Sequence, residues 1–191
     1  MARPRNFDTE TVVDRALDQF WTYGYLNTSP AQLADATGIG KGSLYNAFGS
    51  KRALFDQALE RYGRLGVALA EECMAGPGST RDCLREYLRA GVDLDFSTPT
   101  RRGCLAVNSA AEFGDRDTAV TTALRAVEER IVAVLAARIE QGRRDGDVDP
   151  SVDAKTVAAL LFTTNTGLRI MSKTNDAAAL YRVIDAALTI L

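Results

Sequence analysis

The sequence predicts an all-α protein of about nine helices, on three observations. Apolar residues recur three and four apart along nearly the whole chain, no run alternates with the strand period of two, and breaks containing glycine and proline cut the pattern into helix-length segments. At 191 residues, with 46% hydrophobic and 25% charged side chains, the chain has the apolar content to bury a core.

The first helix starts after Asp8, a good N-cap, with Phe7 and Val12 at the spacing of a hydrophobic staple. Val13, Ala16, Leu17, Phe20 and Trp21 share one face, and Gly24 marks its end. Ser29-Pro30-Ala31-Gln32 combines a capping serine, proline at the first helical position and a glutamine that closes a capping box. This second helix stops near Thr37, because Gly38 suits a left-handed cap and Gly40 discourages continuation. A third short helix, Lys41 to Phe48, lies between Gly40 and Gly49. Ser50 caps a long fourth helix carrying Leu54, Phe55, Ala58, Leu59, Tyr62, Leu65, Leu69 and Cys73, broken at Gly76-Pro77-Gly78. Amphipathic helical stretches follow at 80–96, 103–113, 117–144, 151–172 and 176–190.

Composition narrows the chemistry. The absence of histidine removes Ser-His-Asp and Cys-His catalysis and histidine-bound metals. Cys73, Cys83 and Cys104 lack the paired spacing of a zinc site and the density of a disulfide scaffold, so they read as reduced thiols. No phosphate-binding glycine loop is present, and no cofactor is expected. The longest apolar stretches, such as Ile131 to Ala137, fall far short of the roughly 20 residues that cross a bilayer, and the N-terminus lacks a signal-like core, which points to a cytoplasmic protein without membrane partners.

Two short helices joined at Gly38 and held between longer ones follow the helix-turn-helix plan, which presents its second helix to a DNA major groove. In that second helix Lys41, Gly42, Ser43, Tyr45 and Asn46 are polar or small, whereas Leu44, Ala47 and Phe48 can anchor it. Glycine inside a helix costs roughly 1 kcal/mol relative to alanine, and close approach of the backbone to nucleic acid is one reason to retain it. Lys41, Lys51 and Arg52 supply positive charge without a nearby acid, yet residues 1–62 hold seven basic and seven acidic side chains and so carry no net charge. That balance predicts reliance on site-specific contacts rather than general attraction to DNA.

The run from Thr28 to Lys51, TSPAQLADATGIGKGSLYNAFGSK, resembles the signature of the TetR family of transcriptional regulators. With the first helix and Ala53-Leu54-Phe55 the resemblance covers about the first 60 residues, and the remainder agrees in length and order with the family's ligand-binding domain. It implies a three-helix DNA-binding domain at 1–50 and a helical ligand-binding and dimerisation domain at 51–191. It further implies phosphate contacts by Thr28, Tyr45, Asn46 and Lys51, and base-facing positions for Lys41, Gly42 and Ser43. Gly40, and Asn46-Ala47 in place of a commoner pair headed by histidine, depart from the pattern. Arg3 and Arg5 form an arm that either enters a minor groove or stays a solvated tail.

By the same resemblance the partners are double-stranded operator DNA, a second copy of the chain through the last two helices, and a small-molecule effector of apolar or electrophilic character; repression is the family default. Ala158, Ala159, Thr163, Gly167, Ala178, Ala179 and Ala187, with Leu160, Leu161, Ile184 and Leu188 as larger knobs, are expected at the dimer face. Effector candidates are the polar breaks Asn108, Asn165 and Arg169 and the aromatic residues Tyr62, Tyr87, Phe113 and Phe162, each of which more often serves as core, because a helix bundle needs satisfied polar groups and aromatic packing in any case. Cys104, between Arg101-Arg102-Gly103 and a helix start, reads either as a thiolate-prone sensor or as a buried small hydrophobe. The run Arg-Gly-Cys-Leu-Ala-Val-Asn resembles a subset of TetR-like proteins, some of which sense electrophiles through a cysteine. Two other classes stay open: a helical protein-interaction module, and an all-α enzyme using Cys104 as nucleophile with Glu112 or an arginine.

Overall fold

The computed structural model describes residues 7–191; the arm with Arg3 and Arg5 lies outside them. Among the described residues there are nine α-helices and no strand: α1 (Thr9–Tyr23), α2 (Pro30–Thr37), α3 (Lys41–Phe48), α4 (Lys51–Ala75), α5 (Thr80–Phe96), α6 (Leu105–Phe113), α7 (Thr118–Asp145), α8 (Ala154–Met171) and α9 (Ala177–Ala187). Short 3-10 turns occupy Gly114–Arg116 and Leu188–Ile190. No described helix is long and apolar enough to cross a membrane.

Local chemistry sets the early helix boundaries. The Asp8 carboxylate accepts the Glu10 and Thr11 N–H groups, satisfying donors that the first turn of α1 leaves open. Ser29 and Gln32 make both halves of the capping box at α2. Gly38, at φ 72°, closes α2 by donating its N–H to Ala34 and Asp35 carbonyls in a left-handed conformation that a Cβ disfavours. Ser50 Oγ accepts from Ala53 N at 3.0 Å and starts α4.

The chain packs as two compact units that are discontinuous in sequence. The first comprises the described residues through Gly63 together with Leu105–Thr121, so it contains α1 to α3, the start of α4 and all of α6. This partition by packing is a different division from the one by role at residue 50. Leu33, Leu44, Leu54, Phe20 and Phe55 are fully buried, which supplies the tertiary support that helices of eight residues lack on their own. Phe55 meets Phe20 at 5.2 Å, Tyr25 at 4.9 Å and Phe113 at 5.3 Å between ring centroids, tying α6 into this core.

The second unit comprises Arg64–Cys104 and Thr122–Leu191. Val67, Leu84, Leu88, Val92, Leu135, Ile139, Leu161, Leu168, Ile184 and Leu188 form its core. Inside it Asp95 on α5 and Arg169 on α8 make an ion pair with side chains only 2% and 8% exposed. A buried charge must be fully hydrogen-bonded, and Asp95 is: Oδ1 accepts from Gly103 N and Arg169 Nη2, each at 3.1 Å, and Oδ2 from Arg169 Nε at 2.8 Å and Ser172 Oγ at 2.7 Å.

Candidate nucleic-acid interface and effector site

On α3, Leu44 and Phe48 are buried while Lys41, Gly42, Ser43 and Asn46 are exposed. Four residues apart, the two anchors hold one face of the helix in the core and leave the opposite face to solvent. A Cβ placed at Gly40 or Gly42 meets nothing within 4 Å, so this face presents bare backbone to whatever approaches. The start of α3 has no side-chain cap, which leaves its first N–H groups available to an acceptor.

Tyr45 and Lys51 are half-buried and converge on Tyr25. Lys51 Nζ lies 4.2 Å from the centroid of the Tyr25 ring, a cation–π contact. Burial pulls the Lys51 ammonium below its ordinary pKa, and the Glu112 carboxylate opposes that shift. Burial, with a contribution from Tyr25, raises the Tyr45 hydroxyl above its ordinary value.

One expected phosphate contact needs correction. Thr28 is fully buried, and its hydroxyl donates to Gly24 O at 2.6 Å. The side chain closes the turn between α1 and α2 and is not presented to solvent.

The effector candidates separate. Tyr62, Asn108 and Phe113 belong to the first unit, where Tyr62 meets Trp21 edge-on at 5.0 Å and Phe113 lies 5.2 Å from Tyr25. Phe113 is therefore part of the aromatic core that holds α6, not a free aromatic wall. Tyr87, Cys104, Phe162, Asn165 and Arg169 belong to the second unit. There Asn165 Nδ2 donates to Tyr87 Oη at 3.3 Å, while Asn165 Oδ1 is buried without a partner among the described residues. Turning the amide over would pair Oδ1 with the Tyr87 hydroxyl and strand the amide nitrogen instead, so either orientation leaves an unmet hydrogen-bonding group. Burial, with the nearby Cys104 thiol, pushes the Tyr87 hydroxyl well above the ordinary phenol range.

Phe162 packs half-buried against the core of the second unit. Arg169 is committed to Asp95 and to Gly103 O, which it reaches at 2.6 Å; the expectation of a polar break open to an effector gives way to a buried clamp. Cys104 directly precedes α6 and is half-buried. Arg101 donates to the Ser172 and Asn175 carbonyls, both at 3.0 Å. Asp95, Tyr25 and Glu112 are parts of these sites that sequence reasoning does not single out for them. Asp95 carries a signal, an acid on the apolar stripe of Leu88, Gly91 and Val92.

The last two helices and the turn after them expose apolar side chains, and the face expected to meet a second copy divides: Ala159, Leu160, Thr163 and Ala178 are exposed as expected, but four others are not. Ala158, Leu161, Ile184 and Leu188 are buried in their own unit, whereas Leu160, Ile170, Met171, Val183 and Ile190 are 44–49% exposed. Both helices are apolar on more than one side, and the face that packs against α5 is the one the chain keeps for itself.

Residues 12–58 match the family described as bacterial regulatory proteins, tetR family, and residues 82–187 match the tetracyclin repressor-like C-terminal domain. The HTH-type transcriptional regulator YezE of Bacillus subtilis is 29% identical over the full length of both chains. The HTH-type transcriptional repressor ComR of Escherichia coli is 27% identical over 99% of this chain and 90% of its own. Among solved structures, the TetR family regulator CifR, a cysteine mutant complexed with 26-bp double-strand operator DNA, superposes with a TM-score of 0.86 at 34% identity over 98% of each chain. Helix order, an exposed recognition face on α3 and matches spanning both halves agree: the chain belongs to the TetR family of helix-turn-helix transcriptional regulators.

Proposed function

We propose that the chain acts as a cytoplasmic homodimeric repressor that reads a palindromic operator with α3 and releases it in response to a small molecule, without catalysis of its own. The observation that carries this reading is α3 itself, with Leu44 and Phe48 buried and Lys41, Gly42, Ser43 and Asn46 exposed beside bare backbone. In this reading Lys41, Gly42 and Ser43 face bases, and Tyr45, Asn46 and Lys51 meet phosphates. The exposed Leu160, Ile170, Met171, Val183 and Ile190 supply an apolar surface for a second copy, which a two-fold operator requires. The similarity to ComR, named a repressor, and to CifR, solved on operator DNA, supports it.

Effector response is assigned to Tyr87, Asn165 and Cys104. Asn165, hydrogen-bonded to Tyr87 Oη, keeps one buried oxygen unmatched at the edge of an apolar core, and the Cys104 thiol lies near enough to Tyr87 to act on its hydroxyl, which suits an apolar or electrophilic molecule carrying one polar group. The test is a mobility-shift titration with DNA from upstream of the protein's own gene, comparing wild type with the Tyr45→Ala, Lys51→Ala double variant under excess competitor. Saturable, competitor-resistant binding that disappears in the variant is the expected result; no shift by wild type, there or after selection from random sequences, would move the reading to a protein-interaction module. Cys104→Ser then separates the two signals: it abolishes release by an electrophile and leaves release by a reversible ligand.

A further inference from the structure

We infer that Glu112 on α6 and the ring of Tyr25 position Lys51 for its phosphate contact, so that α6 governs how many phosphates the reading unit engages. The inference rests on the reading of Lys51 as a phosphate contact.

The last N–H of α1 to find a helical acceptor is that of Gly24, which donates to Phe20 O at 2.8 Å. The next N–H, that of Tyr25, is taken by Glu112 Oε2 at 2.8 Å, from a residue 87 positions further along the chain. Gly24 has φ 82°, a conformation that favours glycine, and Glu112 Oε1 lies where a Cβ on Gly24 would stand, so a side chain there would push the carboxylate off its seat.

The ring of Tyr25 is thereby held at both ends of its own residue. Its backbone is pinned by Glu112, and its face is packed 4.9 Å from Phe55 and 5.2 Å from Phe113, the residue after Glu112. Lys51 Nζ rests over that ring. Arg52, next in sequence, makes a two-pronged ion pair with Asp117, beyond the end of α6. Residues 112–117 thus grip the surroundings of Lys51 from two sides, through Tyr25 and through Arg52. A lysine ammonium on a flexible stem binds phosphate as a point charge, and its contribution depends on where that charge is held before DNA arrives. Here the platform is an aromatic face whose placement depends on an α6 carboxylate.

The experiment is operator binding by fluorescence anisotropy between about 50 and 200 mM salt, because the steepness of log K against log salt falls by about 0.9 for each phosphate that the protein ceases to neutralise. Lys51→Ala should lower the slope of the dimer by about 1.8, one phosphate per protomer. Glu112→Ala should lower it equally, the double variant no further, and Glu112→Gln, which retains an acceptor for the Tyr25 N–H, should restore the wild-type slope. Tyr25→Leu leaves that N–H in place and removes the ring, and should lower the slope as Lys51→Ala does; it serves where Glu112→Ala fails to give wild-type helicity. A wild-type slope in Glu112→Ala or in Tyr25→Leu, a double variant that falls further than Lys51→Ala, or a Gln variant no better than Ala overturns the inference. An unchanged slope in Lys51→Ala defeats instead the phosphate reading on which it stands.

Discussion

Arg169 Nη2 donates both to Asp95 Oδ1 and to the carbonyl of Gly103, while Asp95 Oδ1 accepts the Gly103 N–H, so one buried ion pair satisfies both backbone groups of the residue before Cys104. Removing one partner leaves an uncompensated buried charge, at a cost of about 3–5 kcal/mol. Arg169→Ala and Asp95→Ala should each lose stability on that scale by urea unfolding. The double replacement by apolar residues should cost less than the two single changes together. A loss below about 1 kcal/mol in either single variant would show the pair to be solvated.

Gly42 separates folding from recognition. Its Cβ position is empty and it lies within α3, so Gly42→Ala should be tolerated by the fold and raise stability by up to about 1 kcal/mol through helix propensity. The same methyl group stands on the face assigned to the bases, and operator affinity should fall even as the melting temperature rises. Unchanged affinity would take Gly42 out of the interface.

The three thiols should react in a set order. Cys73 and Cys83 are buried, and burial, with Glu86 and Glu72 nearby, pushes the Cys73 thiol up, whereas Cys104 is half-buried. Alkylation near neutral pH followed by peptide mapping should find Cys104 modified first, with the buried pair at least about tenfold slower because each tenfold corresponds to only about 1.4 kcal/mol of local opening. Equal rates would mean that the second unit opens readily.

Acid should weaken the first unit at a defined point. Hydrogen bonding from Arg52 and from Val120 N holds the Asp117 carboxyl down at about 2, against an ordinary value of 3.8. A depressed carboxylate contributes stability that is complete above its unfolded pKa and lost as pH falls through its folded one. The wild-type melting temperature should therefore drop more steeply than that of Asp117→Asn between about pH 4 and pH 2, with the variant the less stable protein at neutral pH. Parallel curves would exclude a contribution from this pair.

Much of the helical frame is legible in the chain because the determining interactions are local. Asp8, the Ser29 and Gln32 box, Gly38 and Ser50 each act within a few residues, and α1 to α4 lie where those signals put them. The start of α6 is the counterexample. Helical period runs from residue 103, but the helix begins at Leu105, because the N–H and C=O of Gly103 are both taken by Asp95 and Arg169, residues that local pattern does not connect to it.

The recognition face is legible for the same local reason: Leu44 and Phe48 can only point one way once α3 forms, which leaves Lys41, Gly42, Ser43 and Asn46 on the other. By itself, then, the sequence determined the helices, the helix-turn-helix and the outward side of α3, since periodicity and caps are written in neighbouring residues. Tertiary structure alone decided that Thr28 is buried, that Arg169 clamps Asp95, that Leu161 and Ile184 face inward while Leu160 and Val183 face outward, and that α6 packs with the first unit through Glu112. Each of those outcomes turns on which of several chemically equivalent surfaces finds a partner far along the chain, and composition and period are the same for all of them.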